Sequence, residues 1–238
     1  MITATLFDLM GTLLIEDPNS PGDHFASFHR LLSEAGLSMD RDELLRCLNE
    51  IQSVAVAGPT TPFEDRLLRM FARDGTTLSA EQARDLANEI CHDSCDVLAL
   101  DPEAIETLVA MRQIGPVGLV SNYDHPPNVH YLLERDGIRD YFDVVVISGE
   151  IGIWKPDPGI LLAGLEPLGL SEPTTVVYVG DSAVDVQAAR AAKMPSILIR
   201  REGGPSDPLR EQQEELVVEA DVTISRLSQL PDAIASLS

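Results

Sequence analysis

The sequence predicts an α/β protein: a parallel β-sheet with helices on both faces, joined to a separate all-helical module. Two observations predict it. Short continuous apolar runs alternate with helical patterns, once at residues 2–7 and then repeatedly after residue 101. Such runs are expected of parallel strands buried on both faces and joined by crossover helices. Between about residues 23 and 98 the strand-like runs cease, and four stretches carry apolar residues at helical spacing.

The first strand covers residues 2–7 and stops at Asp8-Leu9-Met10-Gly11-Thr12. The helical module follows as HFASFHRLLSEAGL, RDELLRCLNEIQSVAV, PFEDRLLRMFARDG and SAEQARDLANEICHDSCDVL. Ser79 stands three residues before Gln82, which suits a helix start, and Gly36 and Gly75 suit helix stops. After Asp101-Pro102 come the helix PEAIETLVAMRQIG, the strand PVGLVSN, the helix PPNVHYLLERDG and the strand FDVVVIS. Next are the helix DPGILLAGLEPLG, the strand TTVVYVGD, the helix SAVDVQAARAAK, the strand PSILIR and a short last strand, ADVTI. Residues 201–219 are the most polar stretch and read as a surface loop with a short helix.

The chain has 238 residues and a net charge of −22. An anionic surface of this kind repels nucleic acid and acidic lipid, so neither is an expected partner. A small anionic substrate would have to be drawn in by a local positive group. Cys47, Cys91 and Cys95 do not make the paired spacing of a zinc site. Cys91 and Cys95 lie four apart, on one face of a helix, and read as small buried residues. The N-terminal apolar run is interrupted by Asp8 and lacks a basic flank, so it is not read as a signal peptide. No apolar stretch approaches a membrane span, and the expectation is a cytoplasmic protein.

Chemistry in open parallel sheets gathers at the carboxyl ends of the strands. Here those ends carry Asp8, then Ser121-Asn122, then Gly180-Asp181-Ser182, and Lys155-Pro156-Asp157-Pro158 follows the FDVVVIS strand. Each has an ordinary explanation singly: Asp181 as a helix cap, Ser-Asn as a turn, Lys155 as a solvated charge. Together, at successive strand ends, they suggest one site. The chain has only two lysines, Lys155 and Lys193. A lysine at this position in a chain that otherwise uses arginine is better explained by a site than by surface charge.

In these segments the sequence resembles the haloacid dehalogenase superfamily of hydrolases. FDLMGTL is similar to the first motif of that family, LVSN to the second, KPDP with the upstream SGEIGI to the third, and VGDSAVD to the acidic fourth. The resemblance implies a Rossmann-like catalytic core over residues 1–14 and 101–238, with a helical cap domain over 15–100. It implies that Asp8 is the nucleophile, in most members attacking a phosphoryl group to give an aspartyl-phosphate that water hydrolyses. Ser121 and Lys155 would bind the phosphoryl oxygens. Leu9, Met10 and Asn122 would line the substrate position. Asp8, Asp181, Asp185 and the backbone carbonyl of Met10 would hold Mg²⁺, an oxygen-seeking cation.

Phosphatases of the family carry a second Asp two residues after the nucleophile, as general acid and base. Here that residue is Met10, and a thioether does no acid–base work. Such a loss costs about 10²–10⁴-fold in rate. Glu16, Asp17, His24, Asp124 and His125 are the candidate replacements near in the chain. The leading expectation is a Mg²⁺-dependent phosphatase of a small phosphorylated metabolite. One alternative is a dehalogenase-like hydrolase of a small 2-haloacid, with Arg30 or Arg41 in the cap holding the acid. The other is a catalytically weak, metal-binding regulatory protein. Schiff-base phosphonatase chemistry needs a cap lysine, and residues 15–100 contain none.

Overall fold

The computed structural model describes residues 1–17, 24–51, 59–201 and 219–237. Six parallel strands form one sheet: β1 (Ala4–Phe7), β4 (Val117–Ser121), β5 (Val144–Ile147), β6 (Val176–Gly180), β7 (Ser196–Ile199) and β8 (Val222–Ile224). Their order is β5-β4-β1-β6-β7-β8. The chain winds outward from β1 through β4 to β5, then crosses back to β6 on the other side. The sheet therefore has its topological switch point between β1 and β6, where ligand crevices open in such sheets. Register aligns Phe7 with Val179 and with Leu119. Asp8 thus emerges between the ends of β6 and β4.

Side chains alternate across the sheet and build one core layer on each face. Phe7, Leu119, Val177, Val179 and Ile197 point to one layer. There they meet α5 (Ala104–Ile114), α6 (Pro126–Arg135) and α10 (Leu230–Ser236) through Leu108, Leu132 and Ile234. Ala4, Leu6, Val120, Val176 and Tyr178 point to the other. That layer is closed by α8 (Gly159–Leu162) and α9 (Ala183–Ala192) through Ile160, Leu161 and Ala188. A short helix, α7 (Ser148–Ile151), follows β5.

The helical stretches form α1 (His24–Glu34), α2 (Arg41–Glu50), α3 (Pro62–Arg73) and α4 (Ala80–Cys95). They share a core of their own, centred on Leu32, Leu44, Leu67, Met70, Phe71 and Ala87. Asp40, Thr61 and Ser79 each close a capping box at a helix start. Cys47, Cys91 and Cys95 are buried free thiols.

Two local expectations differ from the structure. Residues 14–16 and 98–100 form an antiparallel ribbon, β2 (Leu14–Glu16) with β3 (Leu98–Leu100). Three residues are too few to show a period. They become strands because the outgoing and returning chains run side by side. Residues 157–169 are helical only at α8; beyond it the amides of Gly164, Leu165 and Leu168 bond three residues back. Pro167, which lacks an N–H, and the glycines around it do not sustain the longer helix. The expected loop and helix at 201–219 lie almost entirely outside the described residues. Among the described residues, no helix is long and apolar enough to cross a membrane.

Candidate active site

Asp8 is held where β1 ends. Its amide donates to Val179 O at 2.8 Å, and the Leu9 carbonyl then gathers the amides of Thr12, Leu13 and Leu14 at 3.3, 2.9 and 2.9 Å. Gly11 takes a positive φ of 77° in this tight turn, a conformation glycine adopts without a Cβ clash. The turn leaves the Leu9 N–H facing the Asp8 carboxylate.

β4 delivers Ser121 and Asn122. The Ser121 side chain is fully buried, and among the described residues its Oγ has no hydrogen-bond partner. Asn122 reaches across to the third segment: its Nδ2 donates to Lys155 O at 3.0 Å, and its Oδ1 accepts from Lys155 N at 2.8 Å. This two-way clamp orients the lysine backbone at the cis Lys155–Pro156 bond. The side-chain amide of Asn122 is therefore engaged with the Lys155 backbone.

The Lys155 ammonium is the centre of the cluster. It donates to Asp8 Oδ1 at 2.7 Å, Asp185 Oδ1 at 2.7 Å and the Tyr178 hydroxyl at 3.0 Å. An ammonium has three N–H donors, so all three are used. The Tyr178 hydroxyl in turn donates a hydrogen bond to Val120 O at 3.0 Å. Sequence reasoning missed Tyr178. The available signal was a phenol within the otherwise aliphatic strand VVYVG; a buried hydroxyl requires a partner.

Asp185 Oδ2 accepts the amides of Ser182 at 2.9 Å and Asp181 at 3.2 Å, and the Ser182 hydroxyl. Gly180 makes room for this. A Cβ there would lie 2.4 Å from the Asp185 carboxyl carbon, so any side chain at position 180 would displace Asp185. Thr12 Oγ1 approaches Asp181 Oδ1 at 3.5 Å. Carboxylate oxygens of Asp8, Asp181 and Asp185 lie within 4.8 Å of one another. The three carboxylates are gathered around a single ammonium that pairs with two of them, Asp8 and Asp185, an excess of negative charge that an oxygen-ligated divalent cation would balance.

Burial raises the Asp8 carboxyl from 3.8 to about 6; Lys155 opposes the rise and Asp185 adds to it. At Asp185 burial also works against the charge, yet Lys155 and Ser182 prevail and hold its pKa low. Lys155 is desolvated too, but the two carboxylates keep it firmly protonated.

Met10 is partly buried and packs against the core layer of β1. The suggested substitutes for an acid beside it fare differently. His125 is fully buried, with Nδ1 3.0 Å from Thr61 Oγ1 and Nε2 3.0 Å from Asn88 Oδ1. Burial lowers its pKa to about 4, so the ring is neutral and both nitrogens are occupied. Asp124 pairs with Arg66 at 3.7 Å. Glu16 is exposed on the ribbon and Asp17 follows it, with its amide on Val97 O. Arg30 lies 3.1 Å from Glu34 and 3.4 Å from Asp93. Arg41 stacks on Phe25, 4.6 Å from the ring centre.

A sequence profile of haloacid dehalogenase-like hydrolases matches residues 2–193. The chain belongs to this family. It is a hydrolase with the family's Rossmann-like α/β fold. It is 32% identical over 247 aligned positions to glyceraldehyde 3-phosphate phosphatase of Methanopyrus kandleri, spanning 100% of this chain and 99% of that protein. The crystal structure of a phosphatase of the same superfamily from Thermococcus onnurineus superposes with a TM-score of 0.65 at 28% identity, covering 98% of both chains. A 2-haloacid dehalogenase from Pseudomonas syringae superposes with a TM-score of 0.71 at 23% identity, covering 100% of both chains; that likeness concerns the fold.

Proposed function

We propose that this hydrolase is a Mg²⁺-dependent phosphatase of a small phosphorylated metabolite, working through an aspartyl-phosphate on Asp8. The observation that carries the reading is the Asp8–Lys155–Asp185 cluster at the sheet's switch point, beside a buried Ser121 hydroxyl that is unpartnered among the described residues. Asp8 Oδ1 is tied to Lys155, which leaves Oδ2 as the attacking oxygen. The Ser121 hydroxyl suits a phosphoryl oxygen, and the Lys155 ammonium, its three N–H groups engaged with Asp8, Asp185 and Tyr178, supplies positive charge beside the phosphoryl group. An all-oxygen set of Asp8, Asp181, Asp185 and the Met10 carbonyl fits Mg²⁺. Asp185, whose oxygens already accept from Lys155 and the start of α9, contributes chiefly its charge. Bound there, the ion would neutralise charge on the phosphoryl group. The full-length likeness to a phosphatase of glyceraldehyde 3-phosphate supports a three-carbon or similarly small substrate. A cytoplasmic setting accords with three buried, unpaired thiols.

The dehalogenase reading has weaker support. It needs a cap arginine for the acid, and Arg30 and Arg41 are engaged with Glu34, Asp93 and Phe25. Met10 shapes the phosphatase reading. With no acid at that position, esters of poorly acidic alcohols react slowly and good leaving groups react well. The test is a panel of phosphate monoesters, including glyceraldehyde 3-phosphate and aryl phosphates of graded leaving-group acidity, with Mg²⁺ and with chelator. Chelator-sensitive turnover is expected, together with a gain of about 10²–10⁴-fold on alkyl phosphates in Met10→Asp. Chelator-insensitive halide release from 2-haloacids, with no phosphate turnover, would overturn the proposal.

A further inference from the structure

Arg201, two residues after β7, ties together parts of the chain that sequence keeps far apart. Its guanidinium donates to the carbonyls of Gly11 and, at 2.7 Å, of Thr12, and to Asp101 Oδ2 at 2.7 and 3.1 Å. Gly11 and Thr12 belong to the turn that carries Asp8, where the chain leaves the core for the ribbon. Asp101 is where it returns: its amide bonds Leu13 O at 2.9 Å, and its Oδ1 accepts Glu103 N at 2.8 Å at the start of α5.

The chemistry is specific to arginine. Two adjacent turn carbonyls and a buried carboxylate, 6% exposed, must be satisfied from one direction. A guanidinium offers five donors in a rigid fork, whereas an ammonium cannot span all three acceptors. Asp101 balances the charge, so this cation is not aimed at an anionic substrate. Thr12 continues the chain of contacts by its approach to Asp181.

We infer that Arg201 is a positioning residue. It fixes the turn of residues 9–13, and with it the Leu9 amide and the Asp8 carboxylate, against the two linkers that join the helical module to the core. Cap position and nucleophile geometry are thereby coupled through one side chain. The catalytic consequence rests on the phosphatase reading; the structural consequence does not.

The test compares wild type with Arg201→Gln and Arg201→Lys, each first checked for a cooperative thermal transition. Should Arg201→Gln not fold because Asp101 is left unpaired, the double variant with Asp101→Asn removes that charge. Hydrogen exchange of the peptide covering residues 9–14 is expected to rise in Arg201→Gln and to rise less in Arg201→Lys. Calorimetric Mg²⁺ titration should give weaker binding in Arg201→Gln. On a phosphate ester, kcat should fall about 10- to 100-fold with little change in KM, and added guanidinium should restore part of it. Unchanged exchange, or raised exchange with wild-type Mg²⁺ affinity and kcat, overturns the inference. If the wild type turns over no phosphate ester, the phosphatase reading fails, while exchange and Mg²⁺ affinity still decide the role of Arg201.

Discussion

Around Lys155 and around His125 the protein buries polar groups in two different ways. At Lys155 the groups are ionised and one-sided: two carboxylates share one ammonium and a third, Asp181, lies beside them, Asp8 is lifted to about 6, and the Ser121 hydroxyl lacks a partner among the described residues. At His125 the groups are neutral. The ring bonds Thr61 and Asn88 from the helical module, and nearby the Tyr123 hydroxyl, Asn128 and Cys95 form a chain of hydrogen bonds. Both clusters are buried and both lie near the end of β4. Unbalanced charge with an unsatisfied donor is suited to take up a ligand, whereas a satisfied neutral network is suited to join two parts of a fold.

The largest effect that would break this contrast is on turnover. Asp8→Asn should lower phosphate hydrolysis at least about 10³-fold while leaving the thermal midpoint near wild type; retained activity would remove Asp8 as nucleophile. Next, Lys155→Met leaves Asp8 and Asp185 facing each other without their cation. It should cost roughly 3–5 kcal/mol in urea unfolding at pH 7, and less at pH 4, where the carboxyls take up protons. A loss independent of pH would show that Lys155 acts by packing.

The two clusters should also respond to acid with opposite sign. His125 has a folded pKa of about 4 against an ordinary 6.5. Its contribution is present above pH 6.5 and is lost as pH falls toward 4, a change of roughly 3 kcal/mol. In metal-free protein Asp8 is raised from 3.8 to about 6, so its contribution is present below pH 3.8 and is lost as pH rises through 6. Unfolding free energies measured from pH 4 to 7 should therefore rise less steeply with pH in His125→Gln than in wild type, and more steeply in Asp8→Asn. Equal slopes in all three would dissolve the distinction. The smallest effect is that of Tyr178→Phe. It removes an acceptor from Lys155 and a donor from Val120 O, and should cost about 1–2 kcal/mol with the seam at His125 unaffected.

Much of the sheet was legible because its strands are unbroken apolar runs: all of β1, β4, β6 and β7 is buried. The helix start at Ser79 announces itself through local chemistry. The ribbon at 14–16 and 98–100 was not legible, since each half is a strand only beside the other. Asp8, Ser121, Lys155 and Asp181 could be nominated from their places at or just after strand ends, and Asp185 through the family resemblance. Tyr178 and Arg201 could not, because a tyrosine in a strand and an arginine in a polar stretch have ordinary explanations until their partners are known.

The sequence by itself determined the α/β class, the run of helical stretches between the first strand and the rest of the sheet, and the thioether at Met10, and through the family resemblance it nominated the carboxylates and lysine of the candidate site. These are properties of residue type and short-range spacing. Only the tertiary structure decided which groups meet: Lys155 between Asp8 and Asp185, Asn122 turned to the lysine backbone, His125 committed to the helical module, and Arg201 across residues 11, 12 and 101. The physical reason is that an ion pair or hydrogen bond depends on separations of about 3 Å, and residues up to 190 positions apart acquire such separations only when the sheet brings its strand ends together.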